Sequence, residues 1–366
     1  MIFDEYKYFE YKFPMPQYLG AKHRLVPWIA QYFPLGVKTA VDAFAGSQSV
    51  AFYFKQSGFK TISNDFLSCN DQIGKALIEN KDIRLDDADV GVLLSPSAVK
   101  AGFTLMEEQF SGVFFEREEA RFLDNFRANL ESLGNPFKRA LAISVMNRSI
   151  TRKITMGHFA HTQALAYAAN PDRIKRNRCL IRPVRDIFYE ILPLYNNAVF
   201  DNRQDNISFS GNILEVFPYF PQADLIYFDP PYCDSHADYQ GFYHLLETLT
   251  EYWRGKQFVN SVHRYEPQRF SGFDKKADVI ASFEKLFELS ADIPHWILSY
   301  NNRSYPGIEK LEAMLSKHRC VSVKAKTYQA GRGGKGSVAG SKEIIFVCSP
   351  KTTLSFSVTK AKKKAA

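Results

Sequence analysis

The sequence has few cysteines and no close cysteine pair. None of its five cysteines stands in a Cys-x-x-Cys arrangement, which argues against a zinc site and against a disulfide framework. We therefore expect no metal site, and the reducing cytoplasm is the expected location. The five positions are Cys69, Cys179, Cys233, Cys320 and Cys348.

Long apolar runs and a secretory leader are also lacking. No apolar segment approaches the roughly 20 residues that a membrane-spanning helix needs. The first residues, Met1 to Glu5, provide neither the basic region nor the apolar region of a secretory signal. The sequence therefore predicts a protein with no membrane partner.

The composition is that of a globular protein with a substantial core. The chain has 366 residues, of which 45% are hydrophobic and 14% aromatic, so it is long enough for two domains and unlike a disordered chain. The formal net charge of +8 is by itself weak evidence for a polyanionic partner.

The distribution of charge is more informative than its sum. Between Arg148 and Arg185 the sequence has nine basic residues and one acidic residue, Asp172. A solvated basic face is one interpretation. Contact with nucleic-acid phosphates is the interpretation that we favour, because the imbalance is large and asparagines and Tyr167 are interleaved with the cations.

The most informative motif is Asp229-Pro230-Pro231-Tyr232, which follows an apolar run over 224–228. The run predicts a buried strand that ends at a turn. The two prolines remove two backbone donors, so nearby carbonyl groups stay free to accept hydrogen bonds. Asp229 and the Pro230 carbonyl group can accept the two hydrogens of an exocyclic amine while Tyr232 stacks on its ring. An adenine rotated out of a DNA stack has this chemistry.

A second candidate site lies near residue 42. The pattern predicts a strand, a loop over 42–47 and a helix over 49–55, and such a strand-to-helix loop favours the polar end of a ligand. Asp65 follows about 20 residues later, at the end of the next strand, where an acid can accept from ribose hydroxyls. Because the loop has no Gly-x-Gly-x-x-Gly pattern, a simple tight turn is an equally good interpretation of the loop alone.

Two α/β stretches flank a middle of different character. Helical periodicity over 116–133 and 137–147 predicts that this middle is mostly helical. Later, strand patterns over 321–325 and 343–347 flank a Gly-rich loop and predict a C-terminal hairpin.

The predicted domain boundaries follow from this change of character. We predict one discontinuous α/β domain formed by 1–80 and 200–350, with a mostly helical insertion over 81–199. Residues 351–366 form a basic tail, in which 360–364 hold four lysines, and we interpret it as a frayed terminus.

The motifs occur in an order that resembles one protein family. They are Tyr18-x-Gly20-x-Lys22, Asp42-x-Phe44-x-Gly46-Ser47, Asn64-Asp65, Ser210-Gly211-Asn212-Ile213-Leu214 and Asp229-Pro230-Pro231-Tyr232. Over roughly residues 17–348 the chain resembles the Dam-like (D12 class) adenine-specific DNA methyltransferases of the α arrangement. The resemblance implies an α/β, Rossmann-like methyltransferase domain, with a mixed sheet and a C-terminal hairpin, and a mostly helical inserted target-recognition domain.

The same resemblance implies S-adenosylmethionine as the cofactor. Asp42 would lie at its methionine end and Asp65 at its ribose, while Asn212 stands where the family often has an Asp that contacts the cofactor adenine. The full set of cofactor contacts is Tyr18, Gly20, Lys22, Asp42, Phe44, Gly46, Asp65, Asn212 and Asp229. The catalytic set is Asp229, Pro230, Pro231 and Tyr232.

The implied reaction is methylation of adenine N6 in duplex DNA, with the target base flipped out. Double-stranded DNA is then the partner, together with a cognate restriction endonuclease acting on the same site. The candidates for DNA contact are Arg148, Arg152, Lys153 and Arg332. The segment of Tyr239, Phe242 and Tyr243 matches the family's aromatic region near the target base, although packing of a helix face explains it equally well.

Gln48 departs from the family pattern, because a second glycine usually stands there. A side chain there could weaken cofactor binding if the position needs a positive φ, and it costs nothing if the residue already lies in the helix. Alternatives to the adenine enzyme are a DNA cytosine-N4 or RNA base methyltransferase, and a DNA-binding module that has lost its cofactor affinity.

Overall fold

A mixed β-sheet forms the centre of the protein. The computed structural model describes residues 11–96, 102–154, 158–233, 238–253, 255–267, 270–327 and 342–351. The strands of these segments are β1 (Thr39–Asp42), β2 (Lys60–Asp65), β3 (Ile207–Ser210), β4 (Leu225–Phe228), β5 (Phe258–Val259), β6 (Arg264–Tyr265), β7 (His295–Asn301), β8 (Cys320–Thr327) and β9 (Lys342–Ser349). Seven of them form the sheet in the order β3-β2-β1-β4-β7-β9-β8, and β5 pairs with β6 in a separate ladder.

The sheet is parallel on one side and ends in an antiparallel hairpin on the other. Strands β3, β2, β1, β4 and β7 run parallel, whereas β9 pairs antiparallel with both β7 and β8. Every residue of β4 is buried, as expected of a central strand covered on both faces. The predicted Rossmann-like mixed sheet with a C-terminal hairpin is therefore confirmed.

The strand order reverses between β1 and β4. From β1 the chain continues outward to β2 and then β3, while β4 starts the other half of the sheet beside β1. Loops that leave the carboxyl ends of two such strands diverge and leave a crevice between them. The loops over 42–47 and 229–232 leave these two ends, so this topology places both sequence motifs at one crevice.

Helices cover the sheet and fill the long insertion. They are α1 (Val26–Ile29), α2 (Ser49–Gln56), α3 (Ser68–Gly74), α4 (Asp87–Leu93), α5 (Leu105–Phe110), α6 (Arg117–Leu130), α7 (Pro136–Lys153), α8 (Ala164–Ala168), α9 (Pro171–Arg176), α10 (Val184–Asn196), α11 (Ile213–Val216), α12 (Tyr239–Glu251), α13 (Val279–Leu289) and α14 (Ile308–Ser316). The two helices predicted for the middle correspond to α6 and α7. Within the described segments, no helix is both long and apolar enough to cross a membrane.

The start of α7 shows how local chemistry sets these boundaries. The Asn135 side-chain oxygen accepts from the backbone N–H of Phe137 at 2.9 Å, and Pro136 occupies the first helical position. An asparagine cap followed by proline is a favourable helix start, because proline has no N–H to leave unsatisfied. Asn170 and Pro171 repeat this arrangement at α9.

The helical insertion does not have a core of its own. Phe126, Leu141 and Ile187 from α6, α7 and α10 belong to the same buried cluster as Leu77 and Leu249, which lie outside 81–199. The predicted boundaries at 80/81 and 199/200 therefore cross one continuous hydrophobic core, and the division into domains stays a prediction.

Asp124 links three parts of this shared core. Its carboxylate accepts from the backbone N–H groups of Met106 and Glu107 at 2.8 and 2.9 Å, and from the Tyr252 hydroxyl at 2.5 Å. Burial raises the pKa of Asp124 to about 6, although these donors favour the charged form. The side chain joins α6 to the start of α5 and to the residue after α12.

We predict that Asp124→Ala destabilises the fold by roughly 2–4 kcal/mol, because it leaves buried donors without an acceptor. Urea denaturation of the two proteins measures the difference. Glu118→Ala is the matched control, since Glu118 is exposed in the same helix and should change stability by less than about 0.5 kcal/mol. Equal stability of Asp124→Ala and wild type would contradict this role.

Candidate active site

A cavity of about 340 Å³ opens at the carboxyl ends of β1 and β4. It lies at the reversal of strand order, where the topology leaves a crevice. The predicted cofactor and catalytic residues all line it, although their individual roles stay predictions. They are Tyr18, Gly20, Lys22, Asp42, Phe44, Gly46, Asp65, Asn212, Asp229, Pro230, Pro231 and Tyr232.

Three buried oxygen atoms among the residues that line the cavity have no hydrogen-bond partner within the described segments: Asp42 Oδ1, Asn64 Oδ1 and the Tyr227 hydroxyl oxygen. The other Asp42 oxygen accepts from the Ala51 N–H at 3.0 Å, which fixes the carboxylate against α2. Burial, and then the charge of Asp229, raise the pKa of Asp42. A buried acceptor without a partner is costly, so this end of the cavity suits a ligand that carries hydrogen-bond donors.

Asp65 holds the glycine loop in place. One of its oxygens accepts from the Gly46 N–H at 2.6 Å, and the other accepts from the Leu67 N–H at 2.8 Å. Gly46 has a φ of +49°, and a Cβ atom there would lie 3.1 Å from the Tyr18 ring. Glycine is therefore required twice, for the backbone conformation and for the close approach of the ring.

Gln48 also has a positive φ, of +66°, directly before α2. The position therefore has the positive φ at which, by the sequence argument, a side chain could weaken cofactor binding. The side chain is fully buried and does not line the cavity. Its amide donates to the Asn70 carbonyl oxygen at 3.2 Å, on the side of α3. The backbone strain is therefore present, while the side chain points away from the ligand site.

A stack of tyrosines forms another wall. The Tyr18 ring lies 4.5 Å from the Tyr243 ring and 5.7 Å from the Tyr239 ring, centroid to centroid. Tyr243 is buried, and its hydroxyl accepts from the Leu19 N–H at 2.7 Å, so it packs α12 against the N-terminal segment. Tyr239 lines the cavity. Tyr243 therefore packs a helix face, whereas Tyr239 can contact a ligand in the cavity.

The charged centre of the cavity is an ion pair between residues far apart in sequence. Lys22 Nζ lies 2.8 and 2.7 Å from the two oxygens of Asp229 and 3.6 Å from Glu343 Oε1. The Tyr232 hydroxyl lies 3.0 Å from Asp229 Oδ1 and 3.0 Å from Glu343 Oε1. Two carboxylates therefore share one ammonium group and one hydroxyl group.

Burial and pairing act against each other in this cluster. Burial opposes the charge of Lys22, but Asp229 and then Glu343 raise its pKa above that of a free lysine. Burial raises the pKa of Asp229 and of Glu343, while Lys22 lowers both. The ammonium group therefore keeps a carboxylate charged in a place where burial would neutralise it.

Glu343 was not among the predicted site residues. It lies at the start of β9, where the sequence indicated a hairpin strand, and pairing of β9 with β7 sets it opposite Asn301. An acidic residue at the start of the apolar run 344–347 was the available signal, since a charged residue at a strand end is a site candidate.

A sequence profile for "D12 class N6 adenine-specific DNA methyltransferase" matches residues 18–301, which is most of the chain. The chain belongs to this family. The matched segment includes the loop after β1 and the Asp229 to Tyr232 motif, the two elements that meet at the cavity. The family assignment made from the order of motifs is confirmed, and with it adenine N6 in DNA as the methylated position.

Curated relatives agree with the profile. "Type II methyltransferase M2.HphI" of Haemophilus parahaemolyticus is 34% identical over 343 residues, which cover 92% of this chain and 98% of the relative. "Modification methylase StsI" of Streptococcus sanguinis and "Type II methyltransferase M.FokI" of Planomicrobium okeanokoites are each 24% identical over 82% of this chain. The match spans 46% and 47% of their respective lengths.

In this methyltransferase, Asn212 has a structural contact at each end of its amide group. Its oxygen accepts from the Leu214 N–H at 3.1 Å and caps α11, while its nitrogen donates to the Phe270 carbonyl oxygen at 3.2 Å. The Asn212 nitrogen therefore ties the segment around Phe270 to the rim of the cavity. Ser271 and Asp274 of that segment also line the cavity.

Three of the predicted DNA-contact residues are engaged inside the fold. Arg148 donates to the Met15 carbonyl oxygen and to Gln17, each at 3.1 Å. Arg152 lies 2.6 Å from a carboxylate oxygen of Glu190, and Lys153 lies 2.9 Å from one of Glu119. The fourth, Arg332, lies outside the described residues. Their role in DNA contact stays a prediction.

We predict that Gln48→Gly changes the dissociation constant of S-adenosylmethionine by less than about threefold, because the lost side chain lies outside the cavity. Isothermal titration calorimetry measures it. Gly46→Ala is the control, and it should weaken binding by about tenfold or more, since its Cβ would strain the loop and crowd Tyr18. A tenfold tighter complex with Gln48→Gly would show instead that the side chain restricts the site.

Proposed function

We propose that the enzyme transfers a methyl group from S-adenosylmethionine to N6 of an adenine that is rotated out of duplex DNA, at one recognition sequence. The observation that carries this proposal is the placement of Asp229, paired with Lys22, at one end of a cavity that continues to the loop after β1. The cavity thus offers two regions with different chemistry, one for each substrate.

The residues around the loop after β1 fit the cofactor. When bound, S-adenosylmethionine supplies an electrophilic methyl group together with a cationic amine and a ribose. The unpartnered oxygens of Asp42 and Asn64 are buried acceptors that would hold the amine. Asp65 is assigned to the ribose hydroxyls, because it lines the cavity at the end of β2.

The residues after β4 act on the target amine. The lone pair of adenine N6 is delocalised into the ring, so the nitrogen is a poor nucleophile. Asp229 accepts one N–H hydrogen and the Pro230 carbonyl oxygen accepts the other, which favours a tetrahedral nitrogen and stabilises its developing positive charge. Asp229 then receives the proton that the nitrogen loses. Tyr232 holds the base in line with the methyl donor.

The names of the relatives suggest the biological setting. Two of them are called type II methyltransferases and one a modification methylase. We propose that this enzyme likewise protects its site from a cognate restriction endonuclease. Sequencing the DNA of cells that express the chain, with detection of modified bases, would give the methylated base and its surrounding sequence.

We place recognition of the DNA in the helical insertion, residues 81–199. Most cations of its long helices are neutralised within the fold: besides Arg152 and Lys153, Arg127 pairs with Glu131 and Arg121 pairs with Glu107. A paired cation gains little from a phosphate, because it must first lose its own partner. These helices therefore offer little free positive charge to a duplex.

The segment 171–178, which contains α9, differs from those helices. It has four cations and a single acid, Asp172, which lies 3.8 Å from Lys175. Arg176 and Arg178 are exposed, and within the described residues no ion pair neutralises them. We propose that this surface, the α9 surface (171–178), supplies the phosphate contacts.

A line of rings connects the α9 surface to the cavity. Successive contacts between rings run from Tyr239, which lines the cavity, to Tyr167, which lies under Arg173 of α9. The members are Tyr239, Phe242, His158, His161, Tyr167 and Arg173. The guanidinium of Arg173 lies 3.6 Å from the Tyr167 ring centroid. The α9 surface is therefore joined to the Tyr239 side of the cavity by continuous ring packing.

Asp229→Ala tests the reaction. We expect the rate of N6-methyladenine formation to fall by at least about 10²–10³-fold, because the acceptor for the target amine is lost. Nucleoside mass spectrometry of the DNA product measures it, and calorimetry should show that the variant still binds S-adenosylmethionine, because Glu343 remains as a partner for Lys22. Turnover like that of the wild type would contradict the assignment of Asp229.

The wild-type protein serves as the reference for two alternatives. Formation of N4-methylcytosine or of a methylated RNA base would contradict adenine as the substrate. No measurable binding of S-adenosylmethionine by the wild type would favour a DNA-binding module that has lost its cofactor affinity.

Arg176→Gln with Arg178→Gln tests the α9 surface. We expect weaker DNA binding, and a slope of log K against log salt that is shallower by about 1 for each lost phosphate contact. Arg117→Gln is the matched control, because this exposed arginine is already paired with Glu107 at 2.6 Å. An unchanged slope in the double variant, or an equal change in the control, would contradict the proposal.

A further inference from the structure

Glu343 is buried beside the catalytic motif without belonging to it. Only 8% of its side chain is exposed, and it lies within the sheet next to Lys22 and Tyr232. It approaches the cavity from β9, on the opposite side of β7 from the strand that carries Asp229. Burying a second carboxylate 3.6 Å from one ammonium group costs free energy, which indicates that this carboxylate has a function.

The contacts of Glu343 duplicate those of Asp229. Each carboxylate faces the Lys22 ammonium group, and each lies 3.0 Å from the Tyr232 hydroxyl oxygen. A hydroxyl group has one hydrogen, so it can donate a full hydrogen bond to one of the two at a time. The geometry favours Asp229 as partner of Lys22, at 2.7 against 3.6 Å. Glu343 is the alternative acceptor for both donors.

Asp229 must release part of this pairing to act on the target amine. Its oxygens already face two donors, Lys22 and Tyr232, and each donor that stays reduces the negative charge available to the amine. We propose that Glu343 is a positioning residue, which takes over Lys22 and the Tyr232 hydroxyl when Asp229 engages the target base. This inference rests on the proposed function, and it involves a shift of hydrogen bonds without transfer of a proton.

Charge balance supports the same conclusion. Lys22, Asp229 and Glu343 together carry one net negative charge, which remains available to a nitrogen that becomes positive. Without the charge of Glu343, Lys22 would neutralise Asp229 and leave none. Other ionisable groups face the cluster from β1, β4 and α12, and they are Asp42, Tyr227 and Tyr239.

Replacing Glu343 by glutamine changes the pH dependence of methylation in a defined direction. With glutamine at position 343, Lys22 pairs with Asp229 alone, and loss of the competing charge lowers the pKa of Asp229. Methylation needs Asp229 ionised, so the methylation rate falls on the acid side of its pH profile as Asp229 is protonated. This acid limb of the pH–rate profile therefore moves to lower pH in Glu343→Gln. A purely structural role of Glu343 would change the amount of folded enzyme without moving this limb.

The experiment compares wild type, Glu343→Gln and Glu79→Gln. Steady-state methylation of duplex DNA over a series of pH values gives kcat, KM and the acid limb for each. We expect Glu343→Gln to lower kcat by about tenfold or more, with little change in the KM for S-adenosylmethionine, and to shift the limb downward. Glu79→Gln removes a half-buried carboxylate that accepts from the Ser208 N–H away from the cavity, and it should behave like wild type.

The outcomes separate this inference from the proposed function. A wild-type protein that forms no N6-methyladenine would refute the function itself. An active wild type, with Glu343→Gln keeping its kcat within about twofold and its acid limb in place, would overturn the role of Glu343 alone. Should that variant not fold, Glu343→Asp decides, because it keeps the charge but withdraws the carboxylate by one methylene. If Glu343 is a positioning residue, Glu343→Asp has a lower kcat and an acid limb at the wild-type pH. An unchanged kcat in Glu343→Asp overturns the inference.

Discussion

The ion pair between Lys22 and Asp229 is the interaction on which the site depends. The two residues are 207 positions apart, and both are shielded from water. Neither charge would survive burial alone, because removal from water disfavours the charged form of each. Their pairing therefore fixes the N-terminal segment over the cavity and keeps a carboxylate ionised there. Lys22 so placed also donates to the Gly20 carbonyl oxygen at 3.1 Å and shares its ammonium group with Glu343.

The sheet makes this pairing possible. Since the strand order reverses at β1 and β4, the two loops diverge and leave room for ligands between them. Hydrogen bonds from backbone N–H groups to Asp42 and Asp65 then hold the first loop, while prolines stiffen the second. The strain at Gln48 is tolerated because its side chain is anchored to Asn70, away from the cavity.

The insertion divides its cations between two tasks. In the long helices, arginine and lysine pair with glutamates and hold the bundle together, as Lys153 does with Glu119. At α9 the acids are fewer, and Arg176 and Arg178 face solvent. Charge counted along the sequence does not separate these two groups, since the glutamates that pair with Arg152 and Lys153 lie in other helices, more than 30 residues away.

The sequence by itself determined the family, the order of the motifs, the mixed sheet and twelve of the residues that line the cavity, because short motifs in a fixed order identify them. Asp229 to Tyr232 is contiguous, and the strand and helix periods are read over short windows. The tertiary structure alone decided the rest. It placed Glu343 beside Lys22 through the pairing of β9 with β7, turned Gln48 away from the ligand, and engaged Arg148 with Met15 and Gln17. Such contacts depend on strand register and helix packing between distant segments, which a local pattern does not encode.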